Sequence, residues 1–169
     1  DASICANNAT FQLNGSVTVA TGGLWSGGAG SFNPTSGVLN AVYTPTAAEI
    51  AAGSVTLTLT TVGNGQCSPV SDQLVLTITP APVVDAGLPV QSCANNPAVQ
   101  LSGSVQNAAG GMWTGAGSFS NATSLSPIYT PSAAEVIAGT ATVTLTSTGN
   151  GLCNAVSDQV TIAITPAPT

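Results

Sequence analysis

The sequence predicts an all-β chain folded as two tandem antiparallel β-sandwiches, and three observations carry that prediction. Val55-Thr56-Leu57-Thr58-Leu59-Thr60 and Leu74-Val75-Leu76-Thr77-Ile78-Thr79 alternate apolar and polar residues with period two. That pattern is the mark of half-buried strands rich in β-branched residues. Glycine (19) and proline (11) punctuate the chain with turn signals every 8–12 residues, as in sandwiches of the immunoglobulin type. The whole arrangement then occurs a second time, with Thr142-Val143-Thr144-Leu145-Thr146 and Val160-Thr161-Ile162-Ala163-Ile164-Thr165 as the matching strands.

Within one unit, Phe11-Gln12-Leu13-Asn14 with Ser16-Val17-Thr18 reads as an early strand, and Leu24-Trp25-Ser26 lies in another. The glycine-rich stretches at 27–30 and 115–117 mark turns. One short segment is helical instead. Thr46-Ala47-Ala48-Glu49 and Ser132-Ala133-Ala134-Glu135 match the capping box, and Gly53 or Gly139 supplies the C-terminal stop.

Internal repetition sets the domain organisation. Cys5-Ala6-Asn7-Asn8 and Gly22-Gly23-Leu24-Trp25 return as Cys93-Ala94-Asn95-Asn96 and Gly110-Gly111-Met112-Trp113, 88 residues on. After the tryptophans the spacing falls to 86: Tyr43-Thr44-Pro45 matches Tyr129-Thr130-Pro131, and Ser71-Asp72-Gln73 matches Ser157-Asp158-Gln159. Two units of about 85 residues follow: 1–80, lacking its first strand, and 81–166, with 167–169 opening a linker to a further repeat. Asp1-Ala2 is equated with Asp85-Ala86, and the chain is expected to be an excerpt of a longer array.

Each unit carries two cysteines at equivalent positions. In a seven-strand sandwich the arriving chain and the loop between the last two strands share one end. Pairing Cys5 with Cys67 and Cys93 with Cys153 is then geometrically natural, closing loops of about 60 residues worth roughly 4 kcal/mol. A Cys67–Cys93 bond would have to span a domain length. Two cysteines without histidine do not make a structural zinc site, and disulfides imply an oxidising compartment.

Composition excludes whole classes of chemistry. The chain holds no Lys, Arg or His, six acidic residues and a net charge of −6. It cannot neutralise phosphates, so nucleic acid is excluded as a partner, and it has no polybasic patch for anionic lipid. Serine–histidine, cysteine–histidine and lysine-based catalysis are ruled out. No run of about 18 apolar residues occurs, so no direct membrane insertion is expected. Its 43% hydrophobic content sets the chain apart from disordered ones. The acids are too dispersed for a paired-carboxylate enzyme. No catalytic residue and no cofactor are assigned.

Calcium is the one candidate metal, since clustered carboxylates could rigidify a junction between units. Its candidates are Glu49, Asp85, Asp72 and Asp158, with Glu49 expected close to the linker that holds Asp85 and Asp72 at the opposite end of its unit. Each also has a structural reading: Glu49 and Glu135 as capping-box acceptors, Asp72 and Asp158 as strand openers, Asp85 as a turn former. Trp25, Trp113, Tyr43 and Tyr129 are read as core plugs, ahead of a sugar-stacking platform. Asn8-Ala9-Thr10, Asn14-Gly15-Ser16 and Asn121-Ala122-Thr123 match the glycosylation sequon, a weak signal in so Thr- and Asn-rich a chain.

The combination of Asp85-Ala86-Gly87, Cys93-Ala94-Asn95-Asn96, Gly111-Met112-Trp113, Tyr129-Thr130-Pro131, Gly149-Asn150-Gly151-x-Cys153 and Ser157-Asp158-Gln159 resembles the tandem PKD-like or immunoglobulin-like repeats of very large Bacteroidetes surface proteins. These are gliding-motility adhesins exported by the type IX secretion system. The resemblance covers nearly the whole chain and implies an extracellular, outer-membrane-associated filament giving reach and mechanical stability. Expected partners are neighbouring repeats of the same chain, then surface polysaccharide or other filament chains. Rival readings are a carbohydrate-binding accessory module of a secreted polysaccharide-degrading enzyme, and a sheath or surface-layer subunit.

Overall fold

Alternation of Val, Leu or Ile with Thr gives each long strand one apolar face, and two sheets close over those faces. The structure, a computed structural model, describes Asp1–Pro168 and divides into two compact units, Asp1–Ala81 and a second beginning at Pro82. Thr169, the last residue of the expected linker segment 167–169, lies outside the described residues.

Unit 1 runs β1 (Ala2–Cys5), β2 (Phe11–Gln12), β3 (Gly22–Ser26), β4 (Ser31–Asn33), β5 (Val42–Thr44), α1 (Ala47–Ala52), β6 (Ser54–Val62) and β7 (Ser71–Thr79). One sheet has the order β1-β7-β6-β3 and the other β2-β5-β4. Unit 2 begins with an additional strand, β8 (Val83–Asp85), then β9 (Val90–Cys93), β10 (Val99–Gln100), β11 (Ser104–Gln106), β12 (Gly110–Thr114), β13 (Ser118–Phe119), β14 (Ile128–Thr130), α2 (Ala133–Ala138), β15 (Thr140–Thr148) and β16 (Ser157–Thr165). Its sheets are β9-β16-β15-β12 and β10-β14-β13, with β8 paired to β11.

The cores follow the predicted faces. Unit 1 buries Leu13, Trp25, Tyr43, Leu57 and Leu76, and unit 2 buries Leu101, Trp113, Tyr129, Val143, Leu145 and Ile162. The early strand of unit 1 is shorter than expected. Only Phe11–Gln12 is strand, and Leu13 and Gly15 donate their amides to the Ala41 and Leu39 carbonyls without extending it.

One edge of each larger sheet departs from the antiparallel expectation. β1 runs parallel to β7, with Ala2 opposite Leu76 and Cys5 opposite Thr79. β9 runs parallel to β16 in the same way, with Cys93 opposite Thr165. This corrects the cysteine pairing. Cys5 stands at the finishing end of β7, whereas Cys67 lies in the turn before β7 starts at Ser71. Eight strand steps separate those ends, about 26 Å at 3.3 Å each, against the roughly 4.4–6.8 Å between Cα atoms that a disulfide allows. The bonds Cys5–Cys67 and Cys93–Cys153 are therefore not formed: Cys67 and Cys93 are free thiols, and Cys5 and Cys153 are disulfide-bonded.

The same register corrects the placement of Asp1. Ala2 occupies the position of Val90, so Asp1 corresponds to Pro89 and not to Asp85. Its carboxylate accepts from the Val75 amide, which fastens the start of β1 to β7.

Candidate functional site

The most densely bonded polar cluster of unit 1 forms where α1 begins. Thr46 caps the helix in the predicted way: its hydroxyl accepts from the Glu49 amide at 3.3 Å, and Glu49 Oε2 accepts from Thr46 N at 2.7 Å. The other carboxylate oxygen does something the capping motif does not announce. Glu49 Oε1 accepts from the Tyr43 hydroxyl at 2.8 Å and from Ala29 N at 2.7 Å, while Tyr43 Oη accepts from Gly30 N at 3.0 Å. Helix, strand β5 and the glycine turn are thus joined through one carboxylate.

Unit 2 builds the same node. The Tyr129 hydroxyl lies 2.9 Å from Glu135, Ser132 N and Oγ donate to Glu135 Oε2, and Gly117 N donates to Tyr129 Oη at 2.7 Å. Both tyrosines are fully buried and pack on a phenylalanine, Phe32 in one unit and Phe119 in the other. The turn must be glycine here. Gly28 has φ +70°, and a Cβ on it would lie 2.1 Å from Tyr43 Oη.

Electrostatics follow the geometry. Burial and the hydrogen bond to Glu49 push the Tyr43 phenol up to about 12, and burial with Glu135 does the same to Tyr129. Burial pushes the Glu49 carboxyl up, but donation from the Thr46 and Ala29 amides and the two hydroxyls outweighs it and holds the group below the usual carboxylate range. Glu135 is lowered likewise, its burial outweighed by the Ser132 and Tyr129 donors.

The candidate calcium ligands are not gathered. Within unit 1, Glu49 sits on the helix leading into Ser54, which pairs with Thr77, while Asp72 pairs with Leu59 five positions along the strand. Asp72 accepts from the Gln73 amide and Asp85 from the Gly87 amide. Asp158 accepts from Ala86 N at 2.9 Å, and that bond with donation from Gln159 lowers its pKa. Among the described residues no three His, Cys, Asp or Glu side chains come together. Calcium needs six to eight oxygens, and within its own unit each of these carboxylates accepts from the chain's own N–H or O–H donors.

Trp25 and Trp113 are 6% and 2% exposed. The Trp25 indole donates to the Leu39 carbonyl at 3.1 Å, while the Trp113 N–H has no partner. Neither ring offers a face to a ligand. The Tyr–Glu node was missed in the sequence, although a tyrosine six residues before a capping glutamate occurs in both copies and signals it.

No protein-family model matches the chain, and the comparison with curated proteins finds no match. Solved structures that match include the human desmocollin-1 ectodomain (10% identity, TM-score 0.42, covering 99% of this chain and 40% of that one). Human protocadherin-24 EC1-2 matches at 8% identity and TM-score 0.43, covering 98% of this chain and 94% of its own. Drosophila N-cadherin EC1-3 matches at 13% identity and TM-score 0.42, covering 98% and 64%. The chain spans less than half of the desmocollin-1 ectodomain. The fold assignment rests on the strand topology and not on these similarities. No helix among the described residues is long and apolar enough to cross a membrane.

Proposed function

We propose that this chain is a tension-bearing repeat segment of a long extracellular adhesin or filament, acting as spacer rather than catalyst. The observation that carries the reading is that the last strand of each unit is paired parallel to an early one, β7 with β1 and β16 with β9. Pulled from its two ends, unit 1 loads β1 and β7 in opposite directions along their length. The ladder bonds are sheared together instead of opening one at a time.

The repeated polar residues support the same view, because Glu49, Glu135 and Asp158 spend their hydrogen bonds inside their own units. The finer assignment, a gliding-motility adhesin of a Bacteroidetes surface, rests on the repeat motifs. Each unit would add about 30–40 Å of reach, from strands of eight or so residues, and the Pro80-Ala81-Pro82 linker favours extended chain. The sugar-module rival needs an exposed aromatic platform, and both indoles are buried.

Single-molecule extension tests the proposal. With disulfides reduced, the chain should give two rupture events, each releasing about 25 nm, the length of roughly 80 residues at about 3.5 Å apiece less the folded span. Smooth extension without force peaks would refute a load-bearing role.

A further inference from the structure

The chain contains three asparagine–glycine pairs, Asn14-Gly15, Asn64-Gly65 and Asn150-Gly151, and the fold treats them differently. An asparagine followed by glycine can react with its own backbone, because glycine has no Cβ to keep its nitrogen from the asparagine carboxamide. The reaction requires that this nitrogen be unbonded and that the backbone around it have room to turn.

Asn14 and Asn64 belong to the same unit and give the sharpest contrast. Gly15 N is committed, donating to the Leu39 carbonyl at 2.9 Å, and a Cβ on Gly15 would lie 2.9 Å from Leu59 Cδ2 and 3.0 Å from Trp25 Cζ2. Gly65 is exposed in the turn between β6 and β7. Its nitrogen makes no hydrogen bond among the described residues, and a Cβ there would meet nothing within 4 Å.

Asn64 holds that turn from two sides. Its carbonyl accepts from Cys67 N at 3.1 Å, and its Nδ2 donates to the Thr61 carbonyl at 3.1 Å. Thr61 in turn closes the β6–β7 ladder: its amide donates to the Val70 carbonyl at 2.9 Å, and its hydroxyl accepts from Val70 N at 3.0 Å. Unit 2 repeats the turn at Asn150-Gly151, but Asn150 Oδ1 is buried without a partner. An oxyanion forming on that atom meets neither a donor nor water. Asn64 Oδ1 is not enclosed in this way, and the reaction is assigned to Asn64.

We propose that Asn64 is a self-modifying site, converted to a carboxylate by its own backbone and water, and that the conversion loosens the turn joining β6 to β7. Gly65 N gives its proton to solvent hydroxide and bonds to Asn64 Cγ. The Cγ–Nδ2 bond breaks, and the amide nitrogen takes a proton from water and leaves as ammonia. Water then opens the five-membered imide at either carbonyl, leaving aspartate or its isoaspartyl isomer at position 64. One amide and one water become one carboxylate and one ammonium, with no electron exchanged. Each event adds a negative charge to a chain that already carries −6 and has no Lys or Arg.

Either product loses the Nδ2 donor to Thr61 and sets a carboxylate against that carbonyl. The isoaspartyl form also lengthens the main chain by one carbon where Cys67 N must reach the position-64 carbonyl. Both changes fall beside the residue that closes the ladder. The inference stands apart from the filament reading, and either can fail alone.

The test ages the full chain in mildly alkaline buffer, native and in urea, and maps it after chymotrypsin. Cleavage after Leu13, Leu24, Leu59 and Leu74 places Asn14 and Asn64 in separate peptides, 14–24 and 60–74. In the native chain peptide 60–74 should gain the mass of an amide-to-carboxyl conversion at least about ten times faster than peptide 14–24, whose nitrogen must first give up its hydrogen bond. In urea the two rates should converge, because the protection of Asn14 is structural. An Asn64→Asp chain, followed through Trp25 in a Trp113→Phe background, should melt about 4–8 °C lower in unit 1, the shift for one lost hydrogen bond. Conversion of Asn64 no faster than Asn14 in the native chain, or a gap that persists in urea, would overturn the site. An Asn64→Asp chain that melts with its parent would overturn the loosening.

Discussion

Replacing Tyr43 with Phe isolates the node that joins helix, strand and turn. The ring remains, with its buried position and its packing on Phe32 at 4.9 Å between centroids. Two hydrogen bonds go: the 2.8 Å donation to the Glu49 carboxylate and the 3.0 Å bond from Gly30 N. A hydrogen bond to a charged acceptor is worth about 1.5–3 kcal/mol, and a stranded amide about 1 kcal/mol more. Glu49 keeps its Ala29 and Thr46 donors, which places the net loss near 2–3 kcal/mol. For a unit of this size each kcal/mol shifts the midpoint by about 4–8 °C, so unit 1 should melt about 10–20 °C lower. The assay is thermal and urea unfolding followed by Trp25 fluorescence in a Trp113→Phe background, which leaves Trp25 as the single tryptophan of the two. A double-mutant cycle with Glu49→Gln should show coupling of at least about 1 kcal/mol. A midpoint within 2 °C of the parent (~0.5 kcal/mol or less), or a cycle with no coupling, would refute the assignment of this pair as a structural tie.

Four further outcomes follow from the same geometry. Because the folded pKa values of Glu49 and Glu135 are depressed, their contribution is present above the ordinary carboxylate range and lost as pH falls through the folded values; urea midpoints should drop in acid, and less steeply in a Glu49→Gln/Glu135→Gln chain. Tyr43 and Tyr129 are raised to about 12, so their contribution is whole below about 10 and fades as pH climbs through 12; near-ultraviolet absorbance should show no phenolate in the folded chain until then. Gly28→Ala should cost at least about 2–3 kcal/mol, since its Cβ meets Tyr43 Oη and Glu49 Oε1, whereas Gly65→Ala, with similar φ but open space, should cost only about 1 kcal/mol in denaturant melts. Trp25→Phe should destabilise its unit about 1 kcal/mol more than Trp113→Phe destabilises the other, because only Trp25 loses an indole hydrogen bond.

The features that could be read from the sequence are those encoded locally. Period-two alternation located the four long strands, and both capping boxes formed with glycine in the left-handed conformation after each helix. Trp and Tyr appeared as core because bulky rings recurred amid small residues. The failures share a different cause: each depended on which strands become neighbours. Whether β1 runs with or against β7 decides the end at which Cys5 finishes, and nothing within Ala2–Cys5 states its direction. The equation of Asp1 with Asp85 failed for a similar reason. A match of two residues, Asp-Ala, outweighed a register that only pairing with β7 reveals. The Tyr43–Glu49 bond joins residues six apart but through a strand-to-helix corner, where neither strand nor helix periodicity applies.

A chain without a single basic side chain must hold and solvate its sheets by other means, and the outward strand faces show which. Thr56, Thr58 and Thr60 of β6 stand opposite Val75, Gln73 and Ser71, with the Thr60 and Ser71 hydroxyls 2.8 Å apart. In unit 2, Gln159 donates to the Thr144 hydroxyl at 3.2 Å. Threonine serves both requirements at once. Its branched Cβ favours the pleated backbone, and its hydroxyl binds either a cross-strand neighbour or water. Charged surfaces obtain solubility from like-charge repulsion and cross-strand ion pairs, both of which weaken as salt screens them. Hydroxyl pairs carry no net charge and are not screened. Strand pairing built from such faces therefore holds across wide changes of ionic strength, where a sheet laced by ion pairs would weaken.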